Sequence, residues 1–357
     1  MIPDRLSRVS QSVNDRCSAI AQTWSQTTFS DSSAAENANA DFSHRIPTPS
    51  GPIAITSDGI GTKVEIAERM ERYDTLGFDL VAMVVDDLVA GGSRPIALSN
   101  ILDVDRFDEA VIDDLMRGLA TAARTAQVVV AGGEIAQLGS RISGFGNGMH
   151  ANWCSTAIGA PMSVPESAHR NPKAGDRIIA LGSDGFRSNG FTLARSILDS
   201  RFGEDWHRAL TASGMSWGDC LLTPSRIYAP AVASMIEAGV PVIASAHITG
   251  GGIPGNLPRN LKGVTLRAEL DDLWPPHPAM IELARMADIE PKDAYGQWNM
   301  GTGYLCIVAA EAASAALLHA KDFGIRARIA GRLVEGSGLR IDARAWDMGD
   351  LFFGGKE

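Results

Sequence analysis

Short apolar runs alternate with amphipathic stretches on both sides of one polar break, and this alternation limits the chain to a mixed α/β or α+β architecture in two domains. In the first block, IAIT at 53–56 reads as a strand that Gly59 and Gly61 interrupt. The following helix, over 79–90, sets Val81, Val84, Val85 and Leu88 at helical spacing and stops at Gly91-Gly92. A strand at 94–104, an amphipathic helix at 108–126, a buried strand VVVAGGE at 128–134 and a strand at 149–161 complete it. The break is SAHRNPKAGD, 167–176, with Pro172 and Gly175. In the second block, strands are expected at 176–183, 240–248, 303–310 and 325–336, and helices at 191–198, 223–239 and 277–287. The expected division is a polar N-terminal segment at 1–45, domains at 46–168 and 169–345, and a tail at 346–357. Within the first segment, the Ser-, Asn- and Asp-rich stretch 25–44 reads as a loop.

The formal net charge of −10 argues against a nucleic-acid surface. It leaves room for phosphorylated small molecules, which need only local cations and helix N-termini. Cys17, Cys154, Cys220 and Cys306 form no CxxC pair, so reduced thiols are expected rather than a zinc site or disulfides. No apolar leader and no membrane-length apolar run occur, so the expected location is cytoplasmic.

Five stretches place chemistry-bearing residues beside bare backbone. In SDGIGTK, 57–63, Asp58, Gly59, Gly61, Thr62 and Lys63 suit metal-assisted phosphate binding: a carboxylate for Mg²⁺ and an ammonium for phosphate oxygens. The next helix carries Asp79, Asp86 and Asp87. The last two flank its apolar stripe on opposite sides, and periodicity does not choose between them. Glu134 ends an apolar strand after two glycines, either as a ligand-binding carboxylate or as a helix N-terminal acid. Ser188, Asn189 and Gly190 precede a helix, as an anion site or as its cap. In HITGGGIPGN, His247 stands before Thr249, Gly250 and Gly251, with Asn256 following and no clear helix behind.

In order, SDGIGTK, YDTLGFDLVAMVVDDLVAGGSRP, AGGEIA, GSDGFRSNGFTLARSIL, LLTPSRIYAPAV, HITGGGIPGNLPR and WNMGTGY closely resemble the aminoimidazole ribonucleotide synthetases, or phosphoribosylformylglycinamidine cyclo-ligases. The resemblance runs from about residue 50 to residue 340. It implies a two-domain fold, a homodimer paired through its N-terminal sheets, ATP and Mg²⁺. It also implies a reaction in which an amide oxygen of formylglycinamidine ribonucleotide is phosphorylated and a nitrogen of the same substrate closes the imidazole ring. Under it, Asp58 and Lys63 stand at the phosphate-transfer centre, and Asp58, Asp87 and Glu134 hold metal. Gly59, Gly61, Thr62, Ser188, Asn189, Gly190, Thr249, Gly250 and Gly251 line the ATP and phosphate site. Asp79 and Asn256 meet substrate, and His247 polarises the amide or shuttles a proton.

The chain departs from that family near its start, where residues 1–50 hold no GGFGG-like segment, and after Glu134, where IAQLGS stands for TAEMPG. These departures leave two enzyme readings, the purine cyclo-ligase and a paralogue activating another amide. A non-catalytic dimeric binding protein has no use for Asp58, Lys63, Asp87, Asn189 and His247 together.

Overall fold

The computed structural model describes residues 8–27, 42–163, 171–344 and 349–354. A helix α1 (Arg8–Thr27) precedes strands β1 (His44–Ile46) and β2 (Ile53–Gly59). Then come helices α2 (Val64–Met70) and α3 (Leu76–Ala90), strand β3 (Ser93–Val104), helix α4 (Glu109–Ala126) and strands β4 (Val129–Gln137) and β5 (Ala151–Pro161). The five strands form one sheet in the order β1-β2-β5-β3-β4, with only β3 and β4 parallel.

The second half runs β6 (Arg177–Gly182), α5 (Phe191–Phe202), α6 (Trp217–Leu222), α7 (Ala229–Glu237), β7 (Val242–His247) and α8 (Gly252–Asn256). It continues with β8 (Leu266–Leu270), α9 (Pro278–Met286), α10 (Pro291–Gln297), β9 (Thr302–Val308), α11 (Ala313–Asp322), β10 (Ala327–Glu335), β11 (Gly338–Asp342) and β12 (Asp350–Phe353). Its sheet has the order β12-β11-β8-β10-β6-β9-β7. The mixed α/β class expected from the sequence is the observed one.

Helix α3 holds the two halves together. Its apolar positions extend all round the helix, as a helix enclosed on every side requires, and it packs against β2, β3 and β5 on one side and α7 and β7 on the other. Where α3 crosses α4 the backbones nearly touch. A Cβ on Gly77 would lie 2.2 Å from Leu119 N, and one on Gly118 2.2 Å from Asp74 O.

Several local expectations change. Strand β4 is not buried: it is the sheet edge, exposed on both faces, and runs past its glycines to Gln137. Residues 223–228 precede α7 rather than belonging to it; Pro230 sits in the first turn, where a missing N–H costs nothing. A one-turn helix, α8, does follow the glycine triplet. Residues 8–27 of the polar N-terminal segment are helical, while 28–41 of the loop expected at 25–44 lie outside the described residues. So do 167–170 of the polar break and 345–348 and 355–357 of the tail, whose Asp350–Phe353 instead forms the outermost strand of the second sheet.

Candidate active site

The C-terminal ends of β2 and β7, the loop after β6 and the C-terminal half of α3 meet between the two sheets. Asp58 ends β2, and its Oδ1 accepts the Gly59 N–H at 2.7 Å. Burial pushes its pKa up to about 6, and the charge of nearby Asp87 raises it further against that Gly59 bond. Burial likewise pushes Asp87 up to about 7, against the opposing pull of Arg259 and Arg187. Two hard carboxylates that resist ionisation beside one another are a donor set suited to Mg²⁺, whose charge would favour the ionised form of both.

The neighbouring acid on α3 does different work. Asp86 is fully buried; its Oδ1 accepts the Tyr228 and Ala229 N–H groups at 2.8 Å each, at the start of α7. Its Oδ2 accepts from Arg187 Nη2 at 3.0 Å. That choice, open at the level of periodicity, falls to Asp87 as the site-facing acid.

His247, the last residue of β7, is fully buried between two charged groups. Its Nε2 lies 2.7 Å from Arg187 Nη2 and its Nδ1 2.8 Å from Asp87 Oδ1. A guanidinium only donates, so Nε2 is the acceptor and Nδ1 carries the proton given to Asp87. Burial and the Arg187 charge push the imidazole pKa down to about 3, with Asp86 pulling weakly the other way. Both ring nitrogens are thus engaged within the chain, where the sequence led to the expectation of a proton shuttle or amide polariser.

Lys63 and Asp79 also differ from expectation. The Lys63 ammonium donates to Asp79 Oδ1 at 2.8 Å, to Thr223 O at 2.7 Å and to Arg187 O at 3.1 Å. Its three protons are taken, and burial lowers its pKa. Asp79 is fully enclosed and also accepts from Ser188 Oγ and from the N–H and Oγ of Ser225. Where phosphate and substrate contacts are expected from the sequence, Lys63 and Asp79 form a buried clasp between the halves, with Asp79 Oδ2 left unpartnered. Thr62 stays at the surface, its Oγ1 3.3 Å from Thr192 Oγ1 on α5.

The phosphate loop and the glycine loop face each other. Gly190, at φ +78°, caps α5 in place of Ser188 or Asn189. Its Cβ position is filled by the Trp298 ring, 2.4 Å away, so only glycine fits. Asn189 Nδ2 is buried without a partner, and a Cβ on Gly250 would lie 3.6 Å from Asn189 Oδ1. An orphaned donor beside the free N–H groups of a twelve-residue helix is the chemistry a phosphate oxygen satisfies. Asn256 is fully buried and shapes the loop from within: its Nδ2 donates to Gly252 O at 2.7 Å and Gly250 O at 3.2 Å, and its Oδ1 lies 3.5 Å from Thr249 Oγ1. Gly251, at φ +86°, caps α8.

Residues 41–150 match the N-terminal domain of the AIR synthase related proteins and residues 173–344 the C-terminal domain. A phosphoribosylformylglycinamidine cyclo-ligase of Methanothermobacter thermautotrophicus is 37% identical over 293 residues, 82% of each chain. The chain belongs to the AIR synthase family. Another cyclo-ligase of that name, from Rippkaea orientalis, is 33% identical, covering 80% of this chain and 83% of its own. Among solved structures, the HypE-HypF complex aligns at a TM-score of 0.63 and 16% identity, covering 93% of this chain and 99% of that one. Hydrogenase maturation protein HypE in complex with ATP aligns at 0.54 and 17%, covering 88% of both. These two likenesses are of fold.

Against that family frame, Glu134 stands apart within one chain. Glu134 pairs across the sheet with Ile101, then Cys154, then Gly59. Three strand spacings put it roughly 14 Å from the end of β2. It is exposed mid-strand, neither a helix N-terminal acid nor a neighbour of Asp58 and Asp87. Two residues in the AIR synthase fold were not singled out from sequence, Arg187 and Arg259. The available signal for the first was a lone basic residue inside the loop DGFRSNG, where a solvated side chain is the ordinary outcome.

Proposed function

We propose that this AIR synthase family member is an ATP- and Mg²⁺-dependent cyclo-ligase that converts formylglycinamidine ribonucleotide to aminoimidazole ribonucleotide. The observation that carries the reading is the pair Asp58 and Asp87 at the meeting point of both halves, two carboxylates raised by burial, Asp58 further by the charge of Asp87. The names borne by relatives at 33–37% identity supply the reaction, and the fold shared with ATP-bound HypE supports nucleotide use.

In this reading Asp58 and Asp87 hold Mg²⁺, which when bound neutralises phosphate charge. The N–H groups opening α5 and the unpartnered Asn189 Nδ2 bind phosphate oxygens. The bare backbone at Gly250 leaves space for substrate beside Asn189. The reaction needs the amide oxygen turned into a phosphate, because phosphate leaves readily and an amide oxygen does not. The protein's task is to orient that oxygen and exclude water. Lys63, Asp79 and Asn256 serve it by fixing the loops.

The same reading includes a homodimer. Along β3, buried Leu98, Asn100 and Leu102 alternate with exposed Ser99 and Ile101, and exposed Ile158 and Val129 of the neighbouring strands, both paired with Ala97, share the outer face. An apolar sheet face of this kind is a pairing surface. Among the described residues no helix is long and apolar enough to cross a membrane.

The test is incubation of the purified protein with formylglycinamidine ribonucleotide, ATP and Mg²⁺. The expected result is aminoimidazole ribonucleotide together with ADP and phosphate. ATP binding without product would favour a different amide substrate, and no ATP binding would sink the reading.

A further inference from the structure

Arg187 belongs to no group that the reaction needs directly, yet it is the most constrained residue of its loop. Its backbone lies in the left-handed region, φ +62°, which costs a residue with a Cβ about 1–3 kcal/mol and persists only where the surroundings enforce it. The side chain is buried. Nη1 donates to Arg226 O at 2.7 Å, Nη2 donates to Asp86 Oδ2 at 3.0 Å, and the guanidinium lies 4.9 Å from the Tyr228 ring centroid. Asp86 is itself pinned by the first N–H groups of α7. The Arg187 carbonyl accepts from Lys63. A buried guanidinium held by Arg226 O, Asp86 and the Tyr228 ring presents one N–H to His247 Nε2.

We propose that Arg187 is a positioning residue: by donating to Nε2 it fixes the His247 proton on Nδ1, which engages Asp87 Oδ1 and leaves Asp87 Oδ2 as the oxygen offered to the cation. This rests on the metal reading of Asp87 above. The relay is directional. Arg187 has no acceptor, so the imidazole cannot reverse without placing two N–H groups face to face at 2.7 Å. Without Arg187 the Nε2–H tautomer costs only the hydrogen bond to Asp87; with Arg187 in place that tautomer also sets two donors face to face, so both neighbours select Nδ1–H. A carboxylate accepts only, so the wrong tautomer would turn a hydrogen bond into lone-pair repulsion and release Asp87. The ring has no other freedom, since it also stacks on Tyr304 with centroids 6.2 Å apart.

The experiment uses full-length metal-free protein with ¹⁵N-labelled histidine. Two-bond ¹H–¹⁵N correlations should show His247 neutral with its proton on Nδ1. Arg187→Met should move His247 to the Nε2–H form or to a mixture, and weaken Mg²⁺ in a calorimetric titration by about 10–100-fold, the usual effect of losing a partner of a metal ligand. Arg187→Lys, which keeps one donor, should retain the Nδ1–H form and recover most of the affinity. A structural role alone would move neither the tautomer nor its rescue by lysine. Should Arg187→Met fail to fold, the wild-type and lysine spectra still decide. An Nε2–H tautomer in the wild type overturns the relay and leaves the metal reading standing. Mg²⁺ binding unchanged by Asp87→Asn removes the metal reading, and with it this use of the relay, whatever the spectrum shows.

Discussion

The Lys63 ammonium lies 2.8 Å from the Asp79 carboxylate with neither side chain exposed, so the lysine nearest Asp58 in sequence is a structural cation. Breaking one partner of a buried pair costs about 3–5 kcal/mol, because the other charge is left stranded. Lys63→Met should lower stability by that amount in urea unfolding. Adding Asp79→Leu should cost less than the sum of the single changes, since no charge then remains. A stable Lys63→Met protein that binds ATP yet transfers no phosphoryl group would mean instead that Lys63 leaves Asp79 to meet the nucleotide.

Asp58 and Asp87 make stability depend on pH in the opposite sense to surface ion pairs. Their folded pKa values, about 6 and about 7, lie above the ordinary 3.8. Between about pH 4 and pH 7 the folded chain therefore holds more protons than the unfolded one, and stability falls as pH rises. The full effect is on the order of a few kcal/mol and is complete above about pH 7. Urea midpoints without Mg²⁺ should drop from pH 5 to pH 8, and the double variant Asp58→Asn, Asp87→Asn should flatten that drop. Millimolar Mg²⁺ should restore the wild-type midpoint at pH 8 and leave the double variant unmoved.

The fold was largely legible because period and punctuation agree: the long apolar run of α3, the glycines that end it and the strand runs of β5, β6 and β9 each point one way. The contacts of four polar residues were harder to read, for one reason. Asp79, Lys63, Asn256 and His247 are polar residues beside glycines, the pattern of a ligand site, and sequence does not reveal whether such a residue faces a ligand or another part of its own chain. Three of them meet a partner far along the chain, Ser225 for Asp79, Thr223 for Lys63 and Asp87 for His247, while Asn256 bonds to its own loop at Gly250 and Gly252. Strand β4 was misread as buried because an apolar run gives no sign of whether a second chain or its own domain covers it.

The three consecutive glycines divide their roles, and substitution should separate them. Gly252 sits at φ +58°, and its Cβ would lie 1.9 Å from Tyr295 O, a clash with backbone that has nowhere to go. Gly252→Ala should cost about 3 kcal/mol or more in chemical unfolding. Gly250 has ordinary contacts, its Cβ 3.6 Å from Asn189 Oδ1. Gly250→Ala should change stability by less than about 1 kcal/mol and raise the KM for ATP or substrate, because the added methyl occupies the space beside Asn189. Unchanged kinetics in Gly250→Ala would mean that the ligand passes elsewhere.

The exposed face of the five-stranded sheet yields the last prediction. Ile101 is 52% exposed and Val129 63% exposed on strands that are otherwise well ordered by their neighbours. In a two-fold dimer each substitution acts twice. Ile101→Asp would bury a carboxylate in both copies of an apolar interface, at a cost of at least about 1.4 kcal/mol each, or roughly a hundredfold in dissociation constant. Light scattering on the wild type should give twice the chain mass, and Ile101→Asp should shift it toward the single chain at micromolar concentration. Ile101 lies on the opposite face of the sheet from Asp58, whose cross-strand row is Ser155 and Asn100, so ATP binding measured on the separated chain reports whether one chain's site is complete. If the variant stays dimeric, the copies pair through another surface; if it is monomeric and still turns over at the wild-type rate, the site needs no partner residue.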